Sequence, residues 1–411
     1  MLDLIPQVAA RGKHSSRDSA RITSRERLHL GSIQLDFTAS GPRSDPPMPW
    51  YGFGYRGFEQ LGFGQKLSLD LPEPIQLEEA AAPTDTEVTK AVPAWSYSAF
   101  VTEDGSLLLS GSIGASPHKY LSFKGLDCVD VLPTEKYLLV QLKERLQCWD
   151  TQAFIAEGPH AEPMWKMDLP SAHNSLFPLV TNGYIVPKPP FFRELPSKIH
   201  ARKLALGNEH AVLLTSELTV LTWGAGRHGQ LGHGDLEDVE EPQIVDALHG
   251  VPMSEVAAGG WHSAGISESG DIYTWGWNES GQLGLPCKTQ QCSVSTKQSH
   301  KEDEMGNTGE FITIQAFPAL IDLPQESEAS KISCGSRHTA AVSRSGELYS
   351  WGWGKYGQLG HGDTDSLDQP KLVNYFSVKH LCVNDVICRN WSTYVFCLES
   401  LEEKKKKGIF S

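Results

Sequence analysis

Three histidines, His210, His262 and His338, stand at matching positions in three copies of one segment. Imidazole is the commonest protein ligand for metals such as zinc, so three histidines could hold one ion if their side chains met. Repeats arranged in a ring are rotated away from one another, and the three side chains would meet only if they lined the axis of that ring. We therefore predict that none of them binds metal and that each bonds the backbone of the repeat array.

Two glycine-rich loops raise the question of phosphate binding, Gly224-Ala225-Gly226 and Gly352-Trp353-Gly354. A phosphate loop needs a lysine followed by serine or threonine and a helix that opens after it, and neither pattern follows here. The sequence also lacks the GxSxG elbow that would present a nucleophilic serine. We predict a protein that is not an enzyme and has no catalytic residues, no cofactor and no metal.

The elements that position these residues are seen best in the segment 334–362, CGSRHTAAVSRSGELYSWGWGKYGQLGHG. It predicts one strand from His338, a hairpin turn at Ser345-Gly346 that needs positive φ, and a second strand that ends at Trp353. Tyr349 and Trp351 are two residues apart and so share one face of the sheet. That face must be buried against a neighbouring unit.

The same landmarks recur upstream with fixed spacing. His262, Gly270, Trp275 and a second GQLG repeat the offsets of the first segment, and a third copy has Trp223 but carries Leu218 where the turn glycine belongs. We expect a different turn in that copy. Successive tryptophans lie 275 − 223 = 52 residues apart, a period typical of propellers and solenoids.

The two ends of the chain complement each other. The piece YGFGYRGFEQLG at 51–62 is a loosened form of WGxGxxGQLG, whereas nothing of that kind follows the last strands at 383–398. Weaker units, with Tyr97 in the histidine position and no glycine motif at 126–149 or 165–192, lie between. We predict an all-β, seven-bladed propeller closed by pairing of its N-terminal and C-terminal strands, which removes exposed sheet edges.

Composition sets the domain organisation. We predict a disordered extension at 1–49, the propeller at 50–400 with a polar insertion at about 287–315, and a charged tail at 401–411. The net charge of −14 disfavours direct DNA binding, although acidic runs such as 235–241 would attract basic histone tails if they do more than solubilise. No apolar run approaches the length of a membrane helix. Eight scattered cysteines without a CxxC pair fit a reduced compartment, the cytosol or nucleus.

The remaining candidate site is a surface. The loops 225–228, 277–280 and 355–356 recur once per blade between Trp-Gly and Gln-Leu-Gly, so they project from one face of the ring. The residues that we predict to contact a partner are Arg227, His228, Asn278, Glu279, Lys355 and Tyr356. An alternative is that Trp277 and Trp353 are only wedged between blades.

The strings CGSRHTA, GELYSWGWGKYGQLGHGD, GGWHSAGIS and GDIYTWGWNESGQLG resemble the repeats of the regulator of chromosome condensation family. The short start, eroded early blades and polar insertion are most similar to a small member of that family. The resemblance implies a nuclear, chromosome-associated monomer with a cytosolic pool, which binds a jumonji-C dioxygenase and histones. It also implies roles in histone H3 methylation and in the mitotic spindle.

Two further interpretations stay open at this point. The founding member of the family promotes nucleotide exchange on a small nuclear GTPase, and the eroded early blades argue against that activity here. Asn182, in the segment 176–192 that least resembles a blade, is a candidate for hydroxylation by the dioxygenase. Asn182-Gly183 also has the composition of an ordinary hairpin turn.

Overall fold

Seven antiparallel β-sheets follow one another along the chain in the structure, which is a computed structural model. It describes residues 50–62, 64, 66–77, 87–113, 116–170, 176–288 and 311–399, all within the unit Pro47–Ser411. Within these ranges no helix is long and apolar enough to cross a membrane. The predicted seven-bladed, all-β propeller is confirmed.

The first half of the chain forms three blades after an initial pair of strands. That pair is β1 (Trp50–Tyr55) and β2 (Ser68–Pro74). Blade 1 comprises β3 (Val88–Pro93), β4 (Tyr97–Thr102), β5 (Leu107–Ile113) and β6 (Ser116–Phe123). Blade 2 comprises β7 (Cys128–Pro133), β8 (Tyr137–Leu142), β9 (Arg145–Asp150), the helix α1 (Thr151–Glu157), a 3-10 turn (Gly158–His160) and β10 (Trp165–Asp168). Blade 3 comprises β11 (Leu179–Val180), β12 (Gly183–Ile185) and β13 (Phe192–Glu194).

The second half is more regular. Blade 4 comprises β14 (Ala201–Leu206), β15 (His210–Thr215), β16 (Val220–Gly224) and β17 (Val239–Ile244), followed by a 3-10 turn (Asp246–Leu248). Blade 5 comprises β18 (Met253–Ala258), β19 (His262–Ser267), β20 (Ile272–Trp277) and β21 (Ile314–Ile321), followed by a 3-10 turn (Pro324–Glu326). Blade 6 comprises β22 (Ala329–Cys334), β23 (His338–Ser343), β24 (Leu348–Gly352) and β25 (Leu367–Leu372), followed by the helix α2 (Asn374–Val378).

Blade 7 closes the ring with strands from both ends of the chain. Its order is β2–β1–β27–β26, where β26 is Leu381–Arg389 and β27 is Ser392–Glu399. Trp50 pairs with Phe396 and Gly54 pairs with Ser392 in an antiparallel register. The predicted closure is therefore confirmed, and it leaves neither terminal strand as a free edge.

Apolar clusters between neighbouring blades form the core. The alternating pattern of each strand sends large side chains into these interfaces, and Trp149, Trp275 and Trp351 are almost completely buried. Tyr349 and Trp351 lie in one cluster between blades 5 and 6, as their two-residue spacing predicts. Burial of apolar surface stabilises a fold by about 25 cal/mol per Å², so these interfaces are the main contribution to the stability of the ring.

One face of the ring carries two sets of loops. Because the strands of a blade run antiparallel, its first and third connections emerge on one side and its second connection on the other. We call the side with the first and third connections the loop face. The inner strands β3, β7, β14, β18, β22 and β26 line a central cavity of about 440 Å³.

The structure corrects two local expectations. Trp165 does not open the weak middle unit but lies in β10, the outer strand of blade 2, so blade 3 has only three strands. The copy with Leu218 keeps the same turn, and Leu218 itself takes the left-handed conformation with φ 63°, where Gly270 and Gly346 have φ 95° and 83°. The different turn that we expected there is wrong.

Several predicted boundaries fall outside the described residues. These are the extension 1–49, the tail 401–411 and residues 289–310 of the insertion. Both ends of the predicted insertion belong to the framework. Cys287 is buried and its N–H donates to Asp368 Oδ2 at 3.2 Å, and Gln315 lies in β21.

Candidate functional site

Hydrogen bonds from the three blade histidines cross to the next blade. His210 Nε2 lies 2.9 Å from Ser263 Oγ, and His262 Nε2 lies 2.9 Å from Thr339 Oγ1. His338 repeats the contact with Thr393 Oγ1 at 3.0 Å. We predicted that these histidines bond backbone, and that detail is wrong because a side-chain hydroxyl comes between.

The hydroxyl passes the contact on to the backbone of the GQLG motif. Ser263 Oγ donates to the Gln230 carbonyl at 2.7 Å, Thr339 to Gln282 at 2.7 Å, and Thr393 to Gln358 at 2.8 Å. A hydroxyl that donates to a carbonyl accepts from the imidazole, so Nε2 carries the proton. We call this chain of histidine, hydroxyl and glutamine carbonyl the relay.

The same glutamines hold the loops of the loop face. The side-chain Oε1 of Gln230 accepts from the His228 N–H at 2.8 Å, and that of Gln358 accepts from the Tyr356 N–H at 2.9 Å. Each glutamine thus ties its own loop by the side chain and the next blade by the carbonyl. The glutamine of each GQLG motif therefore holds the loop that carries the predicted partner residues of its blade.

Burial keeps the relay histidines neutral. Desolvation lowers the pKa of His210 to about 4 and the pKa of His262 and His338 to about 3. Each lies at a separate blade interface with its own hydroxyl partner. Within the described ranges no group of three His, Cys, Asp or Glu side chains is arranged to hold a metal ion.

Aromatic rings form a continuous series across the loop face. Trp353 lies 4.4 Å from Trp391 and 5.3 Å from Tyr356 between ring centroids, and Tyr55 lies 5.2 Å from Tyr356 and 6.1 Å from Trp95. We define the aromatic arc as the rings that are connected in this way and their arginine link to blade 5. Its members are Phe58, Trp95, Tyr55, Tyr356, Trp391, Trp353, Arg337, Trp277, Trp261 and His228.

Arg337 bridges the two halves of the arc. Its guanidinium lies 4.4 Å from the Trp277 ring centroid and 5.8 Å from that of Trp353. Glu279 lies 3.9 Å from the Arg337 guanidinium, which adds a partly exposed ion pair. Cation–π contacts of this kind contribute about 0.5–2 kcal/mol each and hold the rings in place.

A second carboxylate orders the other end of the arc. Glu209 Oε2 accepts from Trp261 Nε1 at 3.0 Å and also forms an ion pair with Arg227. The exposed Arg227 side chain is thereby held beside the rings of the arc. The arc ends at Trp95, which is 40% exposed and lies in the first connection of blade 1.

The structure brings five of the six predicted partner residues to this face. His228 and Tyr356 belong to the arc, Arg227 and Glu279 pair with neighbours of the arc, and Lys355 is exposed. Asn278 is fully buried, and its Nδ2 donates to the Leu285 and Ile312 carbonyls at 3.0 and 2.9 Å. Asn278 therefore holds its loop and does not face a partner.

Sequence reasoning missed the first-connection residues. Trp261, Trp391 and Arg337 lie there directly before the position of the relay histidine, and Trp95 lies two residues before it. The available signal was an aromatic residue directly before that position, in Trp261-His262 and Trp391-Ser392. Trp277 and Trp353 are half-buried members of the arc, so their rings are not wholly enclosed between blades.

Asn182 lies at an exposed turn. Its φ is 63°, and it connects β11 to β12, so the hairpin interpretation is confirmed. Val186 and Lys188, beyond the other end of β12, border a cavity of about 680 Å³ between blades 3 and 4 whose lining does not include Asn182. Hydroxylation of Asn182 stays a prediction.

Comparison with known proteins agrees with this geometry. The regulator of chromosome condensation (RCC1) repeat matches residues 219–266, 269–342 and 345–395. RCC1 domain-containing protein 1 from Homo sapiens is 42% identical over 386 residues, covering 86% of this chain and 98% of the relative. The Mus musculus protein of that name is 42% identical over 380 residues, covering 85% and 97%.

Solved structures support the fold. Prp20p from Saccharomyces cerevisiae aligns with a TM-score of 0.65 at 16% identity, covering 88% of this chain and 94% of that one. Three observations agree: the repeats match a family model, seven blades close into a ring, and the relatives align over almost their whole length. This chain belongs to the regulator of chromosome condensation (RCC1) repeat family.

Proposed function

We propose that this chain is a non-enzymatic scaffold whose loop face binds a jumonji-C dioxygenase. The aromatic arc is the observation that carries the proposal. Trp, Tyr and Arg are the residues that most often dominate binding energy at protein interfaces, and here they are contiguous and held by the relay and two carboxylates. A rigid, partly exposed surface of this kind loses little side-chain entropy when a partner docks.

A binding measurement tests the proposal. Full-length chain is titrated with purified jumonji-C dioxygenase by calorimetry, and Trp95→Ala is compared with Val378→Ala. Trp95 is 40% exposed on the loop face, whereas Val378 is 73% exposed on α2 on the other side of the ring. We expect at least tenfold weaker binding for Trp95→Ala and no change for Val378→Ala. Equal affinity of all three proteins would contradict the proposal.

Histones are the second partner that we propose. The acidic residues in 235–241 are exposed on blade 4, in the connection before β17 and, for Glu240 and Glu241, in β17 itself, and they suit basic histone tails. Prp20p is described with binding properties to Gsp1p and histones. Neutralising Asp235, Glu237, Glu240 and Glu241 together should abolish binding of a histone H3 tail peptide and its salt dependence. Unchanged binding would assign these residues to solubility alone.

The proposed cellular role follows from these partners. The chain would bring the dioxygenase to chromatin in the nucleus, with effects on histone H3 methylation and spindle organisation. Affinity purification from dividing cells, followed by mass spectrometry, should recover the dioxygenase and histones. Stimulated nucleotide release from a small nuclear GTPase by the purified chain would instead favour the exchange-factor function.

We further propose that the docked dioxygenase modifies Asn182. Its exposure at the tip of a turn supports access by an enzyme. Incubation with the dioxygenase, dioxygen and its 2-oxo-acid co-substrate should convert one C–H bond of Asn182 to C–OH, the second oxygen atom going to the co-substrate as it loses CO₂. Mass spectrometry should then find one added oxygen atom in the peptide that contains Asn182. The Asn182→Gly variant keeps the left-handed turn and should gain none. An equal gain in both proteins would place the modification elsewhere.

A further inference from the structure

The inner strands carry a belt of charges of alternating sign. In six blades a charged residue follows the β-bulge of the inner strand, and its sign changes from each blade to the next. Lys90 pairs with Asp130, and Glu255 pairs with both Lys203 and Lys331. The sixth member is Asp385. The three lysines of the belt therefore balance its three carboxylates in number.

Arg389 breaks this balance. It lies on β26 and lines the same central cavity, four residues beyond Asp385 on the same side of the strand, or about 13 Å towards the loop face. Among the described residues, no side chain forms an ion pair or hydrogen bond with its guanidinium. Burial lowers the pKa of this arginine. The central cavity, which we also call the channel, therefore has one uncompensated positive charge, Arg389, near its opening on the loop face.

The sequence shows how an arginine fits there. The equivalent residues of blades 4 to 6 are Gly207, Gly259 and Gly335, each three residues before a relay histidine. A Cβ at these positions would lie 2.4, 2.4 and 2.1 Å from the imidazole carbon of that histidine. In blade 7 the histidine is replaced by Ser392, and Arg389 occupies the position of the glycine. Loss of the imidazole makes room for the side chain.

Energetics favour a ligand for Arg389. Arg389 is half-buried, and a charged group that is partly removed from water without a partner destabilises the fold unless an opposite charge meets it. A guanidinium offers a planar set of donors that matches carboxylate and phosphate oxygens in two parallel hydrogen bonds. The cavity of about 440 Å³ is large enough for a small molecule. Arg389 also lines the narrow pocket beneath Trp95 and Trp391.

We propose that the channel mouth at Arg389 is a binding site for a small oxyanion of the phosphate or carboxylate class. The anion enters from the loop face and accepts from the guanidinium. The belt below carries three positive and three negative side chains and is neutral as a whole, so a single anionic group balances the charge of Arg389. The site lies beneath Trp95 and Trp391 of the aromatic arc, and it would exist in the isolated chain without the dioxygenase.

Titration with inorganic phosphate tests this site. The chain in phosphate-free buffer is titrated with sodium phosphate, with sodium chloride as the ionic-strength control. The readout is the change in tryptophan fluorescence, to which Trp95 and Trp391 beside Arg389 contribute. We expect saturation at one site, at least tenfold weaker binding for Arg389→Gln, and an intermediate loss for Arg389→Lys. The control Arg202→Gln removes an exposed arginine from blade 4 and should bind as the parent does. Equal binding by Arg389→Gln would overturn the assignment.

Thermal stability separates a ligand site from a structural role. Without phosphate, Arg389→Gln should melt no lower than the parent, because it removes an unpaired charge, and phosphate should no longer raise its melting temperature. A lower melting temperature in phosphate-free buffer would make Arg389 a structural residue and contradict the proposal. Saturation by an acidic peptide alone, lost in Arg389→Gln, would identify a docked protein segment and overturn the small-molecule source.

Discussion

Blades 4 to 6 and blades 1 to 3 solve the same packing problem in different ways. In blades 4 to 6 each interface to the next blade contains a buried relay. In blade 1 the histidine position holds Tyr97, whose hydroxyl donates directly to the Thr134 carbonyl at 2.8 Å. In blade 2 it holds Tyr137, which packs against Phe191 with centroids 5.1 Å apart. A single direct hydrogen bond in blade 1 and aromatic packing in blade 2 thus replace the relay in these blades.

Blade 7 keeps one end of the relay. Ser392 stands in the histidine position, and the contact to the next blade comes from Tyr394, two residues further along β27. The Tyr394 hydroxyl lies 2.6 Å from Ser98 Oγ, and Ser98 donates to the Gln60 carbonyl at 2.8 Å. The acceptor is again the glutamine of a GQLG-like motif, and only the donor has changed. Apolar packing can hold two sheets together, but the glutamines of the relay also accept hydrogen bonds from the loops of the loop face.

The largest predicted effect is a fall in the free energy of unfolding at acidic pH, caused by the relay histidines of blades 4 to 6. The folded pKa of each relay histidine lies below its unfolded value of about 6.5, so the unfolded chain takes up protons first and stability falls as pH decreases below 6.5. At pH 5 the loss is about 2 kcal/mol per histidine, or about 6 kcal/mol for three. Urea unfolding between pH 7 and 5 measures it. A flat profile over this range would contradict buried neutral imidazoles.

A single break of the relay should have a smaller effect. His262→Ala removes a fully buried side chain and leaves Thr339 without its donor, so we expect about 3 kcal/mol lower free energy of unfolding. His200→Ala, at an exposed histidine, should cost under about 0.5 kcal/mol. Similar losses in the two variants would show that the relay adds nothing beyond surface packing.

The relay of blade 7 provides an intermediate case. Tyr394→Phe keeps the ring but removes the hydroxyl that faces Ser98, and we expect a loss of about 1–2 kcal/mol in urea unfolding. Tyr375→Phe, which changes a half-buried ring in α2, serves as the control and should lose less than about 0.5 kcal/mol. A neutral Tyr394→Phe would mean that ring closure depends on apolar packing alone.

The smallest effect concerns the turn of blade 4. Leu218 adopts a left-handed conformation that glycine takes without strain, so Leu218→Gly should raise the free energy of unfolding by about 1 kcal/mol. Leu218→Ala retains the Cβ and should show no such gain. A less stable glycine variant would indicate that the leucine side chain contributes more than its backbone costs.

Sequence predicted what depends on spacing along the chain. The two incomplete ends predicted closure, and the repeated landmarks predicted seven blades and the face that carries their loops. Contacts between blades were not predictable in the same way, because the partner of a side chain such as His262 lies 77 residues away in Thr339. The aromatic arc likewise joins rings from five blades. Asn278 was misplaced because an exposed and a buried asparagine look alike in a loop sequence.

The rim formed by the arc is the basis of the proposed function, and hydrogen–deuterium exchange tests it most directly. Exchange is compared in the full-length chain alone and with the jumonji-C dioxygenase bound. We predict slower exchange in the loops 225–228 and 355–356 and in the first connection around Trp391, with no change in α2 or in the turn at Gly346. Protection confined to α2 and that turn would place the partner on the opposite face and contradict the docking role of the aromatic arc.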